Sequence, residues 1–216
     1  MRRLALLGIA AAAAGCTGGL HSNTPGPQAY VLRAPAAAAH EAHDPLPSVR
    51  ILRPVSSPGL NTDHIMLLQS DRRLSYYAGS RWAGPLADMV EALTVETLRA
   101  TGDWTAVEDS RSSFNAEYYL QITIRRFEAD YTEQPDAAPV AHVSLTCELG
   151  RRIDRELIAS FVAEGAEHAA QNRLSAVVAA FEQASATALT SAAQRVAAAV
   201  RTSQAHSPPS AGKPSS

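Results

Sequence analysis

The side chains able to do chemistry are two cysteines, seven histidines and scattered carboxylates. Cys147 and His142 come nearest to a thiol and base pair. Five residues apart in a strand, they point to opposite faces, because side chains alternate with a period of two. The apolar neighbours of Cys147 make it a buried core cysteine, and a base brought from elsewhere would have to enter that core. His40 and His43 beside Asp44 have metal-ligand chemistry, yet they stand in an Ala-rich stretch with no rigid shell to orient them, so no metal is expected. Glu128, Asp130 and Glu133 lie together at a strand end among other polar residues and read as a solvated loop, not an acid and base pair. A Gly-rich phosphate loop, a paired-His helix motif, Cys-x-x-Cys and a Gly-x-Ser-x-Gly elbow are all absent from the sequence. The expectation is a non-enzyme without a cofactor, and the catalytic alternative is a periplasmic enzyme whose residues are scattered beyond recognition.

Cys16 has a different chemistry. Met1-Arg2-Arg3 is a short positive region, and 4–14 is an apolar run followed by small residues, which is the pattern of a signal peptide over 1–15. The run is too short for a bilayer-spanning helix, which needs roughly 20 apolar residues. Ala13-Ala14-Gly15-Cys16 resembles the lipobox of bacterial lipoproteins, in which the cysteine takes a diacylglycerol thioether and becomes the new N-terminus. Ala13 departs from it, Leu being usual there. Cys16 is therefore the expected lipid-attachment site and the means of holding the chain on a membrane. Thr17 follows, whereas an Asp there resembles an inner-membrane retention signal; the outer membrane, facing the periplasm, is the expected location. With Cys16 acylated, Cys147 has no partner and no internal disulfide is expected. Cleavage leaves 17 Lys and Arg against 21 Asp and Glu, a net −4, so nucleic acid is not an expected partner.

The elements that must position any binding surface are legible from composition and period. Hydrophobic residues make up 46% and charged residues 19% of the 216, enough apolar material for the core of one domain. Residues 16–47, rich in Ala, Pro and Gly, read as a lipidated flexible tether with one short strand at 30–32. The body is expected over 48–201, and 202–216, with Pro208-Pro209 and several Ser, as a disordered tail. Within the body, Val49 to Leu52 reads as a strand, 63–69 and 74–77 as a hairpin, and 85–101 as a helix. Pro85 suits the start of that helix, Leu86, Met89, Val90, Leu93 and Thr97 recur on one face, and Gly102 suits the residue past the end. Tyr118, Leu120, Ile122 and Ile124 alternate with polar residues, as do Ala141, Val143, Leu145, Cys147 and Leu149. A third strand falls around 157–163, and 172–201 is an Ala-rich helix. These elements predict an α+β domain, one largely antiparallel sheet with two helices packed on one face.

Tyr76, Tyr77, Trp82 and Trp104 cluster near the turns around the first helix. Each could anchor a partner, or wedge the helix onto the sheet as large aromatics commonly do. On the polar face of the sheet, Tyr119, Phe127, Ile158 and Val162 add apolar area that a second protomer or another protein could cover.

Leu74-Ser75-Tyr76-Tyr77, Ser80-Arg81-Trp82-Ala83-x-Pro85, the helix to Leu98 and Thr101-Gly102-x-Trp104-x-x-Val107 together resemble the ABC-type transport auxiliary lipoprotein family, also called PqiC-like. Tyr30-Val31-Leu32, Tyr119-Leu120-Gln121-Ile122 with Phe127-Glu128, and Ala180-Phe181-Glu182 extend the resemblance over about 28–200. Glu117 departs from it, a small residue and an Asp being usual there. The resemblance implies a periplasmic, outer-membrane-side component of a lipid transport system. Its implied partners are an MCE-domain protein and an inner-membrane ABC permease and ATPase complex, its implied role is support of membrane integrity, and it supplies no catalytic residue. A lipoprotein accessory of lipopolysaccharide or outer-membrane protein assembly would share the leader, tether and α+β body.

Overall fold

The computed structural model describes residues 26–36, 44–132 and 137–206. The leader, Cys16, His40, His43 and Glu133 fall outside them. In chain order the elements are β1 (Gln28–Tyr30), β2 (Val49–Ile51), β3 (Val55–Ser56), β4 (His64–Leu68), β5 (Leu74–Trp82), α1 (Leu86–Ala100), β6 (Val107–Glu108), β7 (Tyr118–Asp130), β8 (Val140–Arg151), β9 (Leu157–His168) and α2 (Leu174–His206).

β7 organises the sheet. It pairs antiparallel with β8 along its whole length, and β8 in turn with β9. Its other edge takes β2, β3 and β4 one after another, all parallel. β4 and β5 form the antiparallel hairpin, β1 adds in parallel beside β5, and β6 in parallel beside β2. The long ladders are antiparallel, so the α+β expectation holds, and short parallel strands complete the sheet.

The alternating apolar residues of β7 and β8 meet across the ladder, Ile122 opposite Cys147 and Leu120 opposite Leu149, on the face that α2 covers. Ala176, Ala180, Ala184, Ala188 and Ala192 recur on the buried side of α2, and these small residues let the helix lie close to the strands. At Gly165 of β9 an added Cβ would stand 1.9 Å from the Ala184 carbonyl oxygen. α1 rests beside α2 on the same face, over β2, β3 and β6. Its first free amide, Leu86 N–H, donates to the Thr62 carbonyl at 3.0 Å, and Gly102 takes φ +69° just past its end. The hydroxyls of Thr94 and Thr97 are satisfied by the carbonyls of Val90 and Leu93, each at 2.7 Å, so they are buried without an unmet donor.

Four expectations are corrected. Phe127 does not lie on the polar face: it is 1% exposed and in the core. Ile124 pairs with Leu145 but Arg126 with Ser144, so Arg125 is an extra residue, a β-bulge that shifts every later side chain of β7 by one position. The tether is partly built into the body. β1 lies at Gln28–Tyr30, Leu32 and Leu46 are buried, and the Leu46 amide donates to the Asp103 carbonyl at 2.6 Å. α2 runs through His206, so the segment read as a tail from residue 202 begins as helix. β5 and β9 extend to Trp82 and His168, well beyond the ends the alternation suggested.

Candidate functional site

The four aromatics singled out in the sequence do not form one site. Trp82 is 1% exposed; its ring meets Phe127 edge-on at 5.9 Å and Phe181 at 5.4 Å, while those two phenyl rings stack at 5.2 Å. It is a core wedge, held there because β5 carries it inward opposite the bulge-shifted Phe127 and the buried stripe of α2, and it cannot touch a partner in the folded chain. Tyr77 is half-buried, its hydroxyl 2.9 Å from that of Tyr131, which donates to Asn172 Oδ1 at 2.8 Å. Burial, then this hydrogen bond, pushes its phenol well above the usual range. The chain of three ties the hairpin to the start of α2. Trp104 is half-buried beside Leu46, and its indole N–H has no acceptor among the described residues. Tyr76 alone is well exposed, at 51%, and stacks on the His64 ring at 4.3 Å and 15°.

Tyr76 belongs to a wider surface. Residues that pair across strands share a face, and Thr123 points away from the helices, so Val55 opposite it does too. Leu68, opposite Asp130, carries the same face onto the hairpin, where Leu74 and Tyr76 follow by the same parity. Val55, Leu74, Tyr76 and Val162 are exposed there, with Tyr119 half-buried under the Arg50 guanidinium at 6.0 Å. Arg126 sits among them, bonded to Glu128 at 2.6 Å and Asp130 at 2.9 Å. Burial alone would raise the Asp130 carboxyl, but Thr132 and the Arg126 guanidinium outweigh it and hold the group below its usual range. This outer face offers apolar and aromatic area around a satisfied charge cluster, which suits recognition.

The chemical candidates separate. Cys147 is fully buried, and burial pushes its thiol up to about 12, so it carries no thiolate at neutral pH. His142 lies on the other face, Nε2 4.0 Å from Asp130 Oδ2. Among the described residues no three His, Cys, Asp or Glu side chains converge as a metal site, and no helix is long and apolar enough to cross a membrane. A cleft of about 440 Å³ beside α1 is lined by charges that answer each other: Arg53 pairs with Asp88 at 2.8 Å, Arg111 with Asp109 at 3.6 Å, and Arg99 donates to the Val107 carbonyl at 2.7 Å.

Sequence reasoning missed Val55, Leu74, Phe114, Ile153 and Leu157 as exposed apolar residues. A signal existed for two of them, since Phe114 follows Ser112-Ser113 and Ile153 stands within Arg151-Arg152-Ile153-Asp154-Arg155, both polar turns without a core period.

Residues 30–198 match the family described as the ABC-type transport auxiliary lipoprotein component. None of the curated proteins matches the chain significantly. Among solved structures, a Xanthomonas campestris protein of the DUF330 family is similar at 26% identity and a TM-score of 0.70, over 83% of this chain and 97% of that one. A second, uncharacterized protein shares the fold at 13% identity and a TM-score of 0.59, over 77% of this chain and 99% of that one. The match runs from the end of β1 through most of α2, taking in β2 to β9 and α1 entire, and on that ground the chain belongs to the ABC-type transport auxiliary lipoprotein family.

Proposed function

We propose that this protein is a non-catalytic, lipid-anchored adaptor of an ABC and MCE-type phospholipid transport system, docking the periplasmic assembly to the outer membrane. The observation that carries the reading is the family match over 30–198 behind a lipobox-like Cys16. An auxiliary component needs an anchor, a reach and a docking surface. Cys16 is the anchor, the segment between it and Gln28 sets the reach, and the outer face with Tyr76, Leu74 and Val55 offers the surface. Thr17 in place of an inner-membrane retention residue supports the outer-membrane location.

Affinity purification of the tagged full-length protein from detergent-solubilised envelopes, alongside Cys16→Ser, tests it by mass spectrometry. Recovery of an MCE-domain protein and an ABC permease, reduced by Cys16→Ser, is the expected result. Recovery of lipopolysaccharide or outer-membrane protein assembly factors instead would overturn it.

A further inference from the structure

Three strongly exposed apolar side chains gather at one end of the body, away from the aromatic hairpin and from Val31, which is exposed beside β1. Ile153 is 83% exposed at the β8–β9 turn, Leu157 59% where β9 begins, and Phe114 72% in the loop between β6 and β7. The two loops are one unit: Arg152 Nε donates to the Ala116 carbonyl at 2.9 Å, and the Arg152 amide to the Glu117 carbonyl at 2.8 Å. Each loop is also braced within itself. The Phe114 amide donates to Ser112 Oγ and the Arg111 amide to Asp109 Oδ1. Arg151 gathers Asp154 and Glu156, and Arg155 holds a left-handed φ of +58° that closes the turn. Apolar tips held out rigidly pay no ordering cost when they are taken out of water.

The dimensions decide what takes them. A stable protein interface buries about 800 Å² on each partner, and three side chains on two loop ends fall well short of that. A bilayer has no minimum patch, because each inserted apolar side chain adds its own transfer free energy. The charges of the two loops balance, Arg111, Arg151, Arg152 and Arg155 against Asp109, Glu117, Asp154 and Glu156, so no net field repels a headgroup layer. We propose that Phe114, Ile153 and Leu157 form a bilayer-inserting tip that seats this end of the body in the membrane. It rests on the lipid-anchored part of the function above and needs no transport partner. Lipid on Cys16 keeps the tip at high local concentration beside the membrane, and insertion fixes which way the outer sheet face points.

Full-length lipidated protein is given one environment-sensitive fluorophore, at Ile153→Cys, Phe114→Cys or, on another surface, Ser160→Cys. It is then reconstituted in vesicles of phosphatidylethanolamine and phosphatidylglycerol. Cys16 is acylated and Cys147 buried, so the label goes to the new thiol. Blue-shifted emission quenched by lipid-borne spin labels is expected at 153 and 114 and not at 160. Water-like emission at both tip positions overturns the proposal, and so does blue-shifted emission that lipid-borne quenchers do not reach, which would mean that protein covers the tip. The full chain with Cys16→Ser should still float with these vesicles, and adding Phe114→Ser and Ile153→Ser should weaken that binding at least about tenfold. Unchanged flotation overturns the tip while leaving the transport reading standing, whereas purification without MCE proteins would remove only the latter.

Discussion

A methyl group at Gly165 would come within 1.9 Å of the Ala184 carbonyl oxygen on α2, and both atoms belong to backbone that packs strand against helix. Gly165→Ala must push α2 away from β9, an overpacking cost of about 3 kcal/mol. In a domain of this size that lowers Tm by about 6–12 °C, to be read by thermal unfolding. Trp82 and Tyr76, so alike in the sequence, should part in the same assay. Trp82→Ala opens a cavity between Phe127 and Phe181 and costs about 3–5 kcal/mol, while Tyr76→Ala stays within about 0.5 kcal/mol and leaves the fold intact. Cys147 gives a pH dependence. Burial raises its thiol from 9.0 to about 12 in the folded chain. Above pH 9 the unfolded thiol ionises and the folded one does not, so the folded state binds the extra proton. Stability therefore falls as pH rises from 9 towards 12, by about 1.4 kcal/mol per unit for this group. Cys147→Ala should flatten that part of a denaturant-midpoint profile.

Among the elements, β7 shows how one inserted residue redirects a strand. Before Arg125 the even positions face the helices, and after it the odd ones do, which brings Phe127 and Ala129 into the core and turns Arg126 and Asp130 outward. Arg125→Ala should be nearly neutral, within about 0.5 kcal/mol, because the side chain is exposed. Deletion of Arg125 is a different perturbation, since it joins Ile124 to Arg126 and makes the ladder to β8 regular, with Phe127 two positions after Ile124 and still facing the helices. Only the local twist of the bulge is lost, so urea unfolding should show a cost well below the roughly 3–5 kcal/mol expected for Phe127→Ala. α2 depends on small residues in the same way that β7 depends on its bulge. Its alanines set how closely the helix lies on β8 and β9, and Phe181 enters where the hairpin and the long strands meet.

At the scale of the whole molecule, the body separates its working surfaces. The helices take one face of the sheet, the aromatic and apolar residues of β3, β5 and β9 take the other, and the tips at Phe114 and Ile153 take one end. The adaptor role proposed above needs surfaces that do not compete. Two predictions belong here. Cys16→Ser should lower the share of the protein in the membrane fraction several-fold, and the part that stays should be lost when Phe114→Ser and Ile153→Ser are added. On the proposed function, Leu74→Asp with Tyr76→Asp should lower recovery of an MCE-domain protein several-fold in the purification above while leaving membrane fractionation unchanged.

The strands with unbroken alternation, the amphipathic α1 with Pro85 before it and Gly102 after it, and the long Ala-rich helix were legible from the chain because period and capping are local properties. The Arg125 bulge was not, because an extra residue between two apolar runs leaves no trace in composition, and its phase is set by the β8 register. Nor could neighbouring residues decide which aromatics are covered: Trp82 is buried and Tyr76 exposed because one lies under α2 and the other on the open face. The long helix runs past the expected tail boundary because its last turns stay against the body, where Arg201 reaches Asp103 at 3.4 Å. The sequence determined most of the elements and the family, since each depends on residues close in the chain. Tertiary structure alone decided which side chains remain outside, because exposure depends on what packs above a residue from a distant part of the chain.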